Sequence, residues 1–417
     1  MKKSLLDTLL SRKARQEPHF SIALYCPDHH IAYNGHLPDK KGVGGGITAR
    51  VRILKALARL GHQVTAYVNC DQEGAYDGVE YRHFTKVKQI QADVLIAVTS
   101  GGALSLEPLR KVRIQTRLRV GWVHGFLEPR GLDLLSPYVL YTPSNFIRAI
   151  AEREWSTQPQ QIFVTPNAVE EAFFCPAPPE AAERDPFSLV YIGYPEKGLQ
   201  HALAVLRKLR ARDTRYHLAV YGDYTLWGQQ KSLAEAQQEG VVLHGTIPQK
   251  QLARRLFRHT FLIALQTFEE PFGISLIEAK RAGVIPIASP VGALTETVRH
   301  GVDGLLIEGA PSDEATRERA AQAIWQLTQH PEQRRDLSKM AMPVPWTWES
   351  VAMVWIEHWQ RLLSQEENEP PTSLQRCPSC GAFTHRYADG WRCPRCGYFV
   401  PEWPTPWQAE ARLARCA

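Results

Sequence analysis

No stretch of about 18 apolar residues occurs in the 417-residue chain, so nothing in it reads as a bilayer-spanning helix. The opening segment, MKKSLLDTLLSRKARQ, has two lysines but no adequate apolar core before charge returns. It reads as a short amphipathic helix rather than a secretory signal. There is no Asp-x-Asp triplet, the carboxylate pattern that often holds Mg2+ against a phosphorylated substrate. Two nucleotide fingerprints are also missing. Gly193 to Gly198 reads G-Y-P-E-K-G, without the G-K-[ST] ending of a P-loop, and Ile47 after Gly44-Gly45-Gly46 breaks a G-x-G-x-x-G spacing. The eight cysteines do not make a disulfide framework. Four stand at metal-ligand spacing and Cys26, Cys70, Cys175 and Cys416 are scattered, a reduced, cytoplasmic pattern. The net charge of +6 (pI about 8.8) is spread along the chain. It fits an anionic substrate or the inner face of a membrane without requiring either.

What is present is ordinary globular material, 44% hydrophobic and 22% charged, in a length that suits two or three domains. Short apolar runs at 21–26, 62–68, 93–98, 119–124, 138–144 and 161–169 read as buried strands. Residues 48–60 between the first two have helical periodicity, and Gly61 closes that helix. Proline and charge at 176–186 mark a linker. A second alternating series follows at 187–193, 217–223, 240–245, 261–266 and 284–289. Strands alternating with helices imply two open, mostly parallel α/β sheets, with ligands at the strand C-termini. The expected layout is an N-terminal extension (1–19), a first domain (20–175), the linker (176–186), a second domain (187–345), a tryptophan-rich helix (346–364), a polar linker (365–376), a cysteine module (377–400) and a tail (401–417). The helix at 346–364 packs either within the second domain or back on the first.

Residues 268–306 organise the rest. Glu270 and Glu278 stand eight positions apart, with Pro271-Phe272-Gly273-Ile274 between them. This reads as a loop turning into a helix over 275–282, with Pro271 near its first position. Free amides at Gly273 and Ile274 would form an anion site at the helix start. A fully helical segment would separate the two carboxylates by about 12 Å. Taken singly, Glu270 is a surface acid and Glu278 a solvated helix residue; the ordered set around them argues for a site.

That set is Glu270, Glu278-Ala279, Gly283-Val284-Ile285-Pro286, Gly292-Ala293, Glu296, Gly301 and Gly304. It resembles the donor-binding motif of the retaining family-4 glycosyltransferases (glycosyl transferases group 1), E-x7-E, EA-x-x-x-G-x-P, a small-residue turn and G-x-x-G. One extra residue before Pro286 and Ala293 in place of a second glycine depart from it. The resemblance covers roughly residues 20–364. It implies a GT-B fold, two facing Rossmann-like domains with an interdomain cleft, and metal-independent transfer from a nucleoside-diphosphate sugar to a hydroxyl. By the same resemblance, Glu270 binds the donor sugar and Glu278 the ribose hydroxyls. Lys197 and the Gly273-Ile274 amides hold the diphosphate, with Phe272 in the same loop. Gly45 and Gly46 approach the diphosphate, and His124 lies near the sugar. The leaving phosphate takes the acceptor proton on the same face, so anomeric configuration is retained. Tyr194 stands where the family has an arginine, and half of the expected positive clamp is missing. Asn167, in a P-N-A-V turn, reads as structural. Acceptor recognition falls to the loops at 29–41 and 126–135, and the acceptor is an unidentified glycan, lipid or small molecule.

Cys377, Cys380, Cys393 and Cys396 form two C-P-x-C-G knuckles. Four thiolates at this spacing suit a structural Zn2+ with no open coordination position, and the segment resembles a zinc ribbon. Iron in its place remains open. Six arginines and no lysine against three acids over 371–417 give only weak support for nucleic-acid binding. A protein-docking or stabilising role is expected instead. The rival to an enzyme is a degenerate nucleotide-sugar-binding scaffold, motivated by Tyr194 and the ribbon. A synthase or phosphorylase on the same frame is a further alternative.

Overall fold

Apolar runs bounded by polar turns fold here as parallel strands buried on both faces. The computed structural model describes residues 19–100, 104–155, 157–178 and 184–364, and the backbone of three short strands farther on. In the first half β1 (Ser21–Tyr25), β2 (Gln63–Val68), β3 (Gly74–Tyr76), β4 (Val79–His83), β5 (Gln89–Thr99), β6 (Arg113–Val123), β7 (Val139–Thr142) and β8 (Ile162–Val164) make one sheet. Its order is β3-β4-β2-β1-β5-β6-β7-β8, parallel except for the β3–β4 pair. In the second half β9 (Ser188–Ile192), β10 (His217–Tyr221), β11 (Val241–Gly245), β12 (Phe261–Ala264), β13 (Ile285–Ala288) and β14 (Leu305–Leu306) make a parallel sheet ordered β11-β10-β9-β12-β13-β14. The helices are α1 (Leu37–Lys40), α2 (Gly45–Arg59), α3 (Asn145–Glu154), α4 (Leu199–Arg210), α5 (Gln249–Leu256), α6 (Ile274–Arg281), α7 (Leu294–Thr297), α8 (Glu314–Gln329), α9 (Pro331–Ala341) and α10 (Trp348–Ser364).

Strand order reverses at β1, which pairs with β2 and β5, and at β9, which pairs with β10 and β12. Such switch points open a crevice beyond the strand C-termini. The segments after β1, β6, β9 and β12 carry Gly45, His124, Lys197 and Glu270, so topology alone brings these residues to one end of their sheets.

Several elements differ from the sequence reading. The β3–β4 hairpin was not expected, and β5 and β6 run to eleven residues each. The first half of β5 is only partly buried and no residue of β6 before Val120 is buried, so only the apolar ends read as strands. Helix α2 begins at Gly45, three residues before Thr48, because first-turn glycines are tolerated where amides need no partner. Cys26 and Cys70 are buried free thiols, but Cys175 is disulfide-bonded, against the reduced state expected for the scattered cysteines.

The tryptophan-rich helix packs on the first half. Val169 N donates to Trp346 O and Trp348 N to Val169 O, which lays the returning chain beside the end of β8. Along α10, Trp355 Nε1 donates to Thr165 Oγ1 at 2.7 Å and its ring meets Trp122 edge-on at 5.0 Å. The Tyr141 hydroxyl and His358 Nδ1 are 2.7 Å apart. One apolar cluster therefore runs from Leu24 and Ile96 through Trp355 and Trp359 to Phe272 and Leu276 of the second half.

Three short strands, His385–Tyr387, Gly390–Arg392 and Phe399–Pro401, pair antiparallel in sequence order. The four ribbon cysteines, the segment 1–18 and the tail after 401 lie outside the described residues. Among the described residues, no helix is long and apolar enough to cross a membrane.

Trp355 is 1% exposed and ties α10 to the first sheet. Trp355→Ala should cost about 3–5 kcal/mol in a urea titration. An unchanged midpoint would mean that α10 does not dock there.

Candidate active site

The site is built on two helix starts that face each other across the two halves. At α6, Gly273 takes φ +91°, so the chain turns sharply and helical geometry begins only at Ile274. Pro271 therefore lies before the helix, not at its first position, and its carbonyl accepts from Ser144 Oγ at 2.7 Å. At α2, Gly44 is the extended N-cap residue and Gly45 and Gly46 open the helix. A Cβ on Gly45 would stand 3.5 Å from Ile274 Cδ1, so the two starts are in contact range. Each leaves first-turn amides without intrahelical acceptors, and both macrodipoles are positive at this point.

Between and beyond them lies a cavity of about 750 Å3, within the range of small-molecule sites. It is lined by Gly44–Gly46, Arg50, Ser100, His124 and Asn167 from the first half, and by Lys197, Glu270, Gly273 and Ile274 from the second. Lys197 Nζ meets Glu270 Oε1 at 2.5 Å. The Glu270 backbone is held from behind: Ala293 N donates to its carbonyl at 2.9 Å. A Cβ on Gly292 (φ +54°) would lie 2.7 Å from both its N and its O. The small-residue turn is thus required by close approach to the Glu270 loop.

Of the remaining expected residues, His124 reaches this cavity with its ring buried and its side chain in hydrogen-bonding contact with Asn167. Burial first, then the Arg50 charge, push it down to about 3 against the pull of Asp28 and the Asn167 hydrogen bond, so the ring is neutral at physiological pH. A neutral imidazole can orient a hydroxyl but does not carry a positive charge here. Phe272 borders the cavity, but its ring is 4% exposed and packs against Trp346 at 5.5 Å.

Glu278 lies deeper, in an adjoining pocket with Tyr194, Thr246, Ile247 and Gln249. It is 5% exposed, not a solvated helix residue. Gln249 Nε2 donates to its Oε1 at 2.5 Å. Burial pushes its carboxyl up to about 7, opposed by the Gln249 hydrogen bond and the Arg52 charge.

Three residues have parts the sequence reading did not give them. Asn167, read as a structural turn, lines the cavity beside His124, with which its side chain hydrogen-bonds. Arg50 is fully buried and touches Cys26 Sγ, Asp28 Oδ2 and Ser100 Oγ at 3.0 to 3.1 Å. The available signal was two arginines, 50 and 52, beside the apolar positions of a helix. Glu296, read only as part of the motif, accepts from the Asn145 and Phe146 amides at 3.0 and 2.7 Å, tying the second half to the start of α3. Tyr194, in the place of the expected arginine, stacks on Trp227 at 3.9 Å and donates to Gln229 Oε1. It supplies no charge.

Residues 180–342 match the family described as glycosyl transferases group 1. Over 164 residues the chain is 30% identical to a D-inositol 3-phosphate glycosyltransferase of Pseudarthrobacter chlorophenolicus, covering 36% of this chain and 39% of that protein. Over 248 residues it is 28% identical to a Mycobacterium tuberculosis glycogen synthase, 56% of this chain and 57% of that one. The chain spans 23% to 57% of the length of such curated relatives. Among solved structures, a Thermosynechococcus elongatus sucrose-phosphate synthase superposes with TM-score 0.62 at 17% identity, over 82% of this chain and 100% of that one. Anabaena HepE in complex with UDP and glucose superposes with TM-score 0.56 at 15% identity, over 83% and 99%. These likenesses show the fold, the two-halved α/β arrangement of GT-B glycosyltransferases.

Because Glu278 is shifted upward from 4.5, folding favours its neutral form. Its contribution is most favourable below pH 4.5 and is lost as pH rises through about 7. Glu278→Gln should therefore be more stable than wild type at pH 8 by roughly 3 kcal/mol, at 1.36 kcal/mol per pKa unit between 4.5 and about 7. The gain should shrink toward pH 5. Denaturant titrations at both pH values check this, and a pH-independent difference would contradict it.

Proposed function

We propose that the protein is a retaining, family-4 glycosyltransferase that uses a nucleoside-diphosphate sugar without a catalytic metal. The observation that carries this reading is the pair of facing helix starts beside Lys197 and Glu270. Two positive helix ends and a lysine suit a diphosphate leaving group. The ribose belongs with Glu278 in the inner pocket and the sugar with Glu270, His124 and Asn167 in the outer one.

A donor phosphate competes with Glu270 for Lys197, which frees Glu270 to accept hydroxyls from the sugar. The acceptor hydroxyl then attacks the anomeric carbon from the side of the leaving group. A carbon–oxygen bond to the acceptor forms as the bond to the diphosphate breaks, and the acceptor proton passes to the departing phosphate oxygen. Arg50 adds a positive charge to the cavity wall despite Tyr194, although it is already engaged with Asp28. UDP appears with the Anabaena structural neighbour, which makes a uridine donor the first to try.

The reading extends to a structural Zn2+ held by Cys377, Cys380, Cys393 and Cys396, to a docking role for that module, and to a cytoplasmic protein that acts at or near the inner membrane face. The rival, a nucleotide-sugar-binding scaffold, draws its support from Tyr194.

A thermal-shift and calorimetric screen of UDP-, GDP-, ADP- and dTDP-sugars, on wild type and Glu278→Ala, tests the donor site. One nucleotide series should bind, at least tenfold more weakly in the variant, with slow hydrolysis of the donor. Binding by none would overturn the enzyme reading; binding with neither hydrolysis nor transfer to any acceptor tried would favour the scaffold. Metal analysis of purified protein should give about one Zn2+ per chain. Cys377→Ser with Cys393→Ser should abolish it.

A further inference from the structure

Asp39, Arg52, Gln249 and Glu278 form a chain of polar contacts that crosses from the first half to the second. Arg52 Nη2 meets Asp39 Oδ1 at 2.6 Å, Arg52 Nε donates to Gln249 Oε1 at 2.7 Å, and Gln249 Nε2 donates to Glu278 Oε1 at 2.5 Å. The Arg52 side chain is 1% exposed, and Gln249 and Glu278 are buried.

Chemistry fixes the direction of this chain. A guanidinium only donates, so Gln249 must turn its carbonyl to Arg52 and its NH2 to the carboxylate. Asp39 already compensates the Arg52 charge. The added contact with Gln249 therefore bears mainly on Glu278, one of whose oxygens it occupies while the other is left for a ligand. Gly45 and Arg52 are seven residues apart on α2, two turns along one face and about 10 Å apart. The helix whose start borders the outer cavity thus reaches the inner pocket as well. Gly42 and Val43 of the first half line that inner pocket opposite Thr246 and Ile247 of the second.

We propose that Gln249 and Arg52 are positioning residues that set the Glu278 carboxylate for the vicinal ribose hydroxyls of a nucleoside diphosphate. Because Arg52 belongs to the opposite half, ribose recognition depends on the two halves being closed. The inference rests on the donor reading above. When the halves part, Gln249 loses the donor that orients its amide, and Glu278 loses its orientation in turn.

The test is calorimetry with UDP, GDP and ADP, each against its 2′,3′-dideoxy analogue, on wild type, Gln249→Met and Arg52→Lys. Wild type should prefer the ribose form of its nucleotide by at least tenfold. Both variants should lose that preference, to threefold or less, while binding the dideoxy form within threefold of wild type. Loss of affinity for both forms alike would mark general loosening and overturn the inference. So would a preserved ribose preference in a folded variant, either one being sufficient to decide. A wild type that binds a nucleotide without ribose preference overturns this inference alone. A wild type that binds none of the three overturns this inference, and one that also binds no dTDP-sugar overturns the donor reading with it.

Discussion

The structure depends on bringing two helix N-termini of like polarity together. The starts of α2 and α6 approach so closely that a Cβ on Gly45 would touch Ile274, and each presents first-turn amides to the same space. Two positive ends in one low-dielectric cleft repel unless an anion lies between them. The fold meets this cost with contacts elsewhere: Glu296 on the start of α3, Ser144 on the Pro271 carbonyl, and the tryptophans of α10 on the first sheet. The closed arrangement is thus held from its sides while its centre stays electrostatically suited to phosphate.

The same division of labour explains the two glutamates. Glu270 sits on a loop whose backbone is fixed by the Gly292-Ala293 turn, and its side chain is engaged by a lysine that a phosphate can take away. Glu278 sits on a helix, buried, where ionisation is costly, and it keeps one amide partner. Neither position is the most stable choice for its site. Buried groups held against their solvation preference are where function and stability conflict.

The outer cavity shows a related economy. His124 and Asn167 present buried polar atoms satisfied at most by each other, beside the Arg50–Asp28 ion pair, whose Arg50 Nε has no partner. Unpaired buried polar atoms cost free energy in the empty protein and recover it when a hydroxyl-rich ligand arrives. A sugar is such a ligand. The fold likenesses fit this picture without choosing a substrate, since they lie at 17% identity or less.

The two alternating α/β series and the stretch from Glu270 to Gly304 were legible in the sequence, because buried strands and glycine-limited turns impose local patterns. The sequence also carried Lys197, Gly45 and Gly46, which lie where strand ends meet helix starts. It did not reveal the β3–β4 hairpin, whose residues are too exposed to form an apolar run. Tertiary structure alone decided that Pro271 precedes its helix, that Asn167 faces the cavity, that Tyr194 stacks on Trp227 and that Glu278 is buried beside Gln249 and Arg52. Each of those depends on residues 29 or more positions apart in the chain, or on a backbone torsion, and one-dimensional periodicity encodes neither.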